Sequence, residues 1–183
     1  VPMIVMITRL VSHKGLDIVK DSLYSLLEEN VQFVLLGTGD FEYERFFDEA
    51  ARRFPGKMRT LLKYDKELSK RIYAAGDIFL MPSLSEPCGL AQMIALRYGT
   101  IPIVRQTGGL NDTITDSGDN KGNGFTFSSY NAHDMLETIW RSIAGFSDKE
   151  GWAVLRERAM KCDNSWGTSA NAYIRLYKEI VNN

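Results

Sequence analysis

The chain has 183 residues, a formal net charge of -1, and 44% hydrophobic against 25% charged residues. That profile predicts one globular domain with room for a sizeable core. Lys and Arg are dispersed and barely balance the acids, which argues against a nucleic-acid or anionic-membrane partner. Cys88 and Cys162 are the only cysteines, far apart and without paired histidines. Neither a zinc site nor a disulfide framework is predicted, and a reducing, cytosolic compartment is the default. No run approaches the roughly 18 apolar residues of a membrane span, and no signal-peptide pattern opens the chain. It begins with Val1 rather than Met, which suggests an excised or processed fragment, or a removed tag.

In chain order, Met3–Ile7 has the length and branching of a strand buried on both faces. The polar turn Thr8–Lys14 and Gly15 follow, and from Leu16 the residues Leu16, Val19, Leu23, Leu26 and Leu27 recur at helical spacing. A second buried strand, Phe33–Leu36, runs into Gly37-Thr38-Gly39-Asp40, where Asp40 is placed to cap a helix with Glu42 and Glu44 near its positive end. A short strand around Met58–Leu62, a helix from Lys66 to Ala75, and the strand Ile78–Met81 come next. A helix after Gly89 leads to the strand Ile101–Val104, and a late strand is Gly124–Phe127. Asp116–Asn123 is a surface loop. Leu136, Ile139, Trp140 and Ile143 form one helical face. Trp166, Ala170, Tyr173, Tyr177 and Ile180 form another, giving a long C-terminal helix whose aromatics read as core. Strands alternating with helices predict an α/β fold, a doubly wound parallel sheet with a helical C-terminal segment, as a single domain over 1–183.

In such sheets ligands bind beyond the carboxyl ends of the strands, so the loops there carry the candidates. Arg9 and Lys14, five residues apart on a turn that opens a helix, could close on one anionic group such as a diphosphate. From spacing alone, two solvated loop cations are the more frequent outcome. Gly89 precedes a helix whose free N–H groups favour an anion. Glu86 beside it would repel phosphate and suits hydrogen bonds from sugar hydroxyls; an exposed turn glutamate weighs equally. Thr107-Gly108-Gly109 by itself reads as a turn, and the lone Gly37-x-Gly39 is a weak signal. His13 and His133 lack metal partners and read as exposed. Cys88 has no general base nearby in sequence and reads as a packed small side chain.

Taken together, the chain resembles the C-terminal domain of bacterial glycogen synthases and plant starch synthases. These are retaining glucosyltransferases of the GT-B type, with two facing Rossmann-like halves. The motifs are T-R-L-x-x-x-K-G at Thr8–Gly15, L-G-T-G-D at Leu36–Asp40, E-P-C-G-L-x-Q at Glu86–Gln92, R-Y-G-T-I-P at Arg97–Pro102, and T-G-G-L-N-D at Thr107–Asp112. The resemblance implies ADP-glucose, or alternatively UDP-glucose, as donor and the non-reducing end of an α-1,4-glucan as acceptor. It implies that Arg9 and Lys14 neutralise the departing diphosphate, so that no metal or cofactor is expected. Glu86 would hold glucose hydroxyls, and the backbone from Cys88 through Gly89 and Leu90 to Ala91 would cradle the distal phosphate. Tyr64 matches an adenine-stacking tyrosine, Thr107 and Gly108 would line the donor site, and Gly37 and Gly39 count among the binding positions. No glycosidase-like carboxylate pair is seen, which agrees with front-face displacement assisted by the leaving phosphate.

Some positions depart from the family pattern. Leu84-Ser85 stands where Arg-Phe or a similar pair is usual. Ala91 replaces a residue that is commonly polar, and Ile94 occupies the place of the wider superfamily's second Glu. The family's other half, with its K-x-G-G-L loop, an active-site His and most of the acceptor groove, is absent from this sequence. The fragment is therefore expected to turn over negligibly, since transfer needs two closing domains. Its C-terminal helix, which in the family packs back toward that half, should leave apolar surface exposed. Two alternatives remain: a non-catalytic nucleotide-sugar-binding module, and a piece of another retaining GT-B transferase. A cytoplasmic location is expected, or a plastid one in a plant.

Overall fold

The computed structural model describes residues 1–181, and the last two residues of the predicted domain lie outside them. Six strands form one sheet: β1 (Met3–Ile7), β2 (Gln32–Leu36), β3 (Met58–Leu61), β4 (Ile78–Met81), β5 (Ile101–Arg105) and β6 (Phe125–Phe127). Their order is β3-β2-β1-β4-β5-β6, and every pairing is parallel. The chain winds outward from β1 to β3, then returns to lay β4 on the other side of β1. This reversal is the topological switch point of a doubly wound fold.

The helices are α1 (Leu16–Glu28), α2 (Phe41–Arg53), α3 (Lys66–Ala75), α4 (Ala91–Tyr98), α5 (Gly108–Thr113), α6 (Ala132–Ser147), α7 (Lys149–Met160) and α8 (Trp166–Val181). The period of two along each strand sorts the core into two layers. Ile4, Met6, Phe33, Leu35, Ile78 and Leu80 face the layer of α1, α2, α6 and α7. Val5, Leu36 and Phe79 face α3 and α4, where Ile72, Tyr73 and Ala95 meet them. Both faces are covered, which is why the strands read as continuous apolar runs rather than alternating ones.

Several expectations need correction. Asp40 occupies the N-cap of α2 but accepts no capping bond; Glu44 instead reaches back to the Gly39 N–H at 2.9 Å. On α6 Ile139 of the predicted face is fully buried and Leu136 and Ile143 are half-buried against the core, but Met135, Thr138 and Ser142 complete the buried set and Trp140 points outward. The difference arises because Thr138 and Ser142 turn their hydroxyls back onto the carbonyl groups of Asp134 and Ile139, so two polar residues can be buried. The sequence did not separate α7, which starts at once after Asp148; that residue accepts from the Gly151 N–H at 3.1 Å and so ends one helix while capping the next. The C-terminal aromatics are not core. No residue of α8 is buried, and Trp166 is 90% exposed. The helical period was right, but it cannot say whether a surface exists for the stripe to pack on.

Candidate functional site

At the carboxyl end of the sheet the loops following β1 and β4 are joined across the switch point. The Leu84 N–H donates to the His13 carbonyl at 3.0 Å. Gly15 has φ +74°, and a Cβ there would lie 2.1 Å from the Pro82 carbonyl oxygen, so only glycine allows this approach. The consequence is electrostatic. Lys14 Nζ meets Glu86 Oε2 at 2.5 Å, with the two side chains only 15% and 11% exposed. The Ser83 hydroxyl donates to the same carboxylate oxygen at 3.2 Å. Two candidates 72 residues apart in sequence thus form one partly desolvated ion pair.

The loop after β5 closes the other side. Thr107 precedes α5, so the predicted turn is a short helix, and Thr107 itself makes no side-chain cap. The Gly109 N–H donates to the carbonyls of Glu86 and Pro87 at 3.1 and 3.2 Å. A Cβ on Gly109 would fall 2.0 Å from the Cys88 carbonyl oxygen. The paired glycines therefore let one loop lie backbone-to-backbone on the other, with Gly108 against Glu86 in the same way. Gln92, fully buried at the start of α4, ties the two together. Its Nε2 donates to the carbonyls of Cys88 and Gly89 and to the Thr113 hydroxyl, which donates in turn to the Gly109 carbonyl. Among the described residues the N–H groups of Gly89, Leu90 and Ala91 find no acceptor, leaving a set of donors at the positive end of α4. Cys88 is exposed, which corrects its assignment as a packed side chain. Its backbone is held by α5, which turns the thiol outward. The Leu90 side chain leaves this site and lines a separate groove beside Cys162.

A cleft of about 250 Å³ lies alongside, over β1, β2 and the segment before α3. Arg9, Gly37 and Tyr64 all line it. Arg9 is exposed and makes no side-chain hydrogen bond or ion pair among the described residues. Tyr64 is 89% exposed, and its neighbours fix its place. Asp65 caps α3 through the Leu68 N–H at 2.9 Å and pairs with Lys63 at 2.9 Å. Those two interactions, the backbone one first, hold the Asp65 carboxyl below its ordinary range. Gly39 is not part of the cleft; it bridges to Leu10, which anchors the loop that carries Arg9.

Three residues at this end escaped the sequence reading. Arg105, at the carboxyl end of β5, donates from Nε and Nη2 to the carbonyls of Ser83 and Leu84 at 3.0 and 2.5 Å, and from Nη1 to that of Ser128 at 3.4 Å. Its guanidinium stacks on Tyr130, with 5.6 Å to the ring centroid. Tyr130 in turn donates to Asp17 Oδ1 at 2.5 Å. A lone cation closing an apolar strand was the available signal for Arg105. Nothing in the sequence joins Tyr130 to Asp17, 113 residues apart.

Outside this end, a groove of about 440 Å³ at the amino ends of β2 and β3 is lined by Gln32, Lys57 and Arg59 and holds no candidate residue. His13 and His133 are exposed, as expected. Among the described residues no group of three or more His, Cys, Asp or Glu is arranged to hold a metal ion, and no helix is long and apolar enough to cross a membrane.

Residues 1–148 match the family model described as glycosyl transferases group 1. The chain is 52% identical over 182 residues to a glycogen synthase of Bacillus cereus, covering 98% of itself and 38% of that protein. It is 50% identical over 183 residues to a glycogen synthase of Geobacillus thermodenitrificans, with 99% and 38% covered. Among solved structures, the catalytic domain of starch synthase IV from Arabidopsis thaliana, bound to ADP and acarbose, superposes with a TM-score of 0.89 at 43% identity; all of this chain and 39% of that one are covered. The chain thus spans well under half the length of the relatives it matches.

Proposed function

The chain belongs to the glycosyl transferases group 1 family, and from that premise we propose that it is the donor-binding half of a glycogen or starch synthase. The complete protein carries glucose from ADP-glucose to the non-reducing end of an α-1,4-glucan with retention of configuration. The observation that supports this most is the convergence at the switch point. Two cations, one carboxylate and the free N–H groups of α4 gather at one end of the sheet, beside a cleft that ends in an exposed tyrosine.

Each group has a task its chemistry suits. The adenine lies on Tyr64, in the cleft shared with Arg9 and Gly37. The α4 N–H groups and helix end receive the distal phosphate. Arg9 and Lys14 stabilise the charge that develops as the glycosidic bond to the diphosphate breaks. Lys14 can serve phosphate without leaving Glu86, because an ammonium has three donors and the carboxylate takes one. Glu86 keeps a second oxygen free to accept from glucose hydroxyls, and its charge is balanced in advance by Lys14. Thr107 and Gly108 line the site near the sugar. The glucan is held by the rest of the longer protein, which also excludes water on closure. The chain alone binds nucleotide and turns over negligibly. We assign the protein to the cytoplasm, in keeping with two free cysteines.

Calorimetry of this chain with ADP, UDP and GDP tests the reading. ADP binding that weakens in Arg9→Ala and Lys14→Ala supports it. A preference for UDP or GDP would move the chain to another branch of the family. Equal and substitution-insensitive binding of all three would leave only a generic nucleotide-binding module.

A further inference from the structure

We propose that Arg105 is a positioning residue that sets where Glu86 stands in the donor site, acting through the carbonyl groups of Ser83 and Leu84. The inference rests on the donor-site reading above and adds a residue to it. Arg105 grips the two residues immediately before Ser85 and Glu86 with separate arms of its planar fork. Ser83, whose carbonyl is held, is also the residue whose hydroxyl donates to Glu86. The guanidinium therefore fixes the backbone that carries the carboxylate and also the hydroxyl that orients it.

The guanidinium is in turn held from behind. Tyr130 stacks on it and donates to Asp17, in the first turn of α1, three residues beyond Lys14. Burial, with the Asp17 bond second, pushes the Tyr130 phenol above its ordinary range, so the hydroxyl stays protonated and donating at neutral pH. The contacts close a ring: Lys14 to Glu86, Glu86 to Ser83, Ser83 to Arg105, Arg105 to Tyr130, Tyr130 to Asp17, and Asp17 back to Lys14 along the chain. The ring spans the switch point from β5 to α1. It explains a cation that points at neutral carbonyls rather than at an anion.

The test is a double-mutant cycle on ligand binding by this chain. The affinity ratio of ADP-glucose to ADP isolates the sugar contact. It is measured in the unsubstituted chain and in Arg105→Lys, Glu86→Gln and the double variant, with circular dichroism to establish that each is folded. Tyr130→Phe, which removes one hydroxyl only, serves as the mild variant. In Arg105→Lys the ratio should fall about tenfold with ADP affinity within about threefold, because an ammonium cannot hold two carbonyls in the fork geometry. Tyr130→Phe should lower it less, in the same direction. In the Glu86→Gln background Arg105→Lys should add nothing further, since Arg105 acts through Glu86. An additive loss in the double variant, or an unchanged ratio in folded Arg105→Lys and Tyr130→Phe, overturns the proposal while leaving the donor site standing. If the unsubstituted chain binds neither ligand, or Glu86→Gln leaves the ratio unchanged, the donor-site reading fails and this inference falls with it.

Discussion

Lys14 and Glu86 lie 72 residues apart in the chain, yet their Nζ and Oε2 atoms meet at 2.5 Å with most of both side chains out of solvent. Removing the cation leaves a partly buried carboxylate with one hydroxyl for company. Lys14→Ala should therefore destabilise the fold by about 2 kcal/mol. Lys14→Ala combined with Glu86→Gln should recover part of that loss, because no orphan charge remains. Urea titrations of the three variants measure both numbers.

Arg9 and Tyr64 present the opposite case. Both are exposed, so neither Arg9→Ala nor Tyr64→Ala should change unfolding free energy by more than about 0.5 kcal/mol. Tyr64→Ala should still weaken ADP binding by about 1–2 kcal/mol, the usual worth of stacking one base on an aromatic ring. Arg9→Ala should weaken ADP at least as much, and adenosine hardly at all. Calorimetry with both ligands separates the charge contact from the stacking contact.

Asp116 holds the loop that leads into β6. It accepts both arms of Arg141, at 2.6 and 2.7 Å, and the N–H groups of Thr126 and Gly118. Burial would raise its carboxyl, but the Arg141 bond and the two backbone donors outweigh it and hold it at about 2, below the ordinary 3.8. A depressed carboxyl contributes stability that is present above about pH 4 and is lost as pH falls through about 2. Discounted for a surface 30% open to solvent, that contribution is about 1 kcal/mol. Asp116→Asn should cost about that much at pH 7, and the gap to the unsubstituted chain should close toward pH 2. Denaturant midpoints across that range test the sign and the window.

Gly109 is a position in the site where one added methyl group should do marked harm. Its added Cβ would collide with the Cys88 carbonyl at 2.0 Å, so the α5 loop must withdraw from the Glu86–Cys88 backbone. Gly109→Ala should cost about 2–4 kcal/mol and also weaken ADP binding, since the N–H groups ahead of α4 lose their support. Stability loss with unchanged ADP affinity would detach this contact from the site.

The exposed stripe of α8 makes a prediction about surface rather than fold. Replacing Trp166, Tyr173 and Tyr177 by Ser should leave the unfolding midpoint unchanged while lowering the binding of a hydrophobic dye such as ANS. Exposed apolar area of this kind marks an interface when it is contiguous. A lowered midpoint would show that the helix packs on the domain in solution.

Most of the framework was legible in sequence because its causes are local. Apolar runs of strand length, leucines at helical spacing and glycines at loop mouths placed β1, β4, α1 and α3 to within a residue. The switch-point rule then placed the candidates at the carboxyl end. The motifs named Arg9, Lys14, Tyr64 and Glu86 one at a time. What the sequence could not supply is everything that depends on two distant segments meeting: the Lys14–Glu86 pair, the Gly109 contact with Cys88, the Arg105–Tyr130–Asp17 strap, and the outward turn of Cys88. Helical spacing misread the α8 aromatics as core, because a period of 3.6 marks an apolar face but not the surface that covers it; the family resemblance, which implied an exposed apolar face there, was right. Local spacing determines which elements form and which residues stand at their ends. Only the assembled sheet decides which of those ends share one dielectric environment, and so which charges and hydrogen-bonding groups act together.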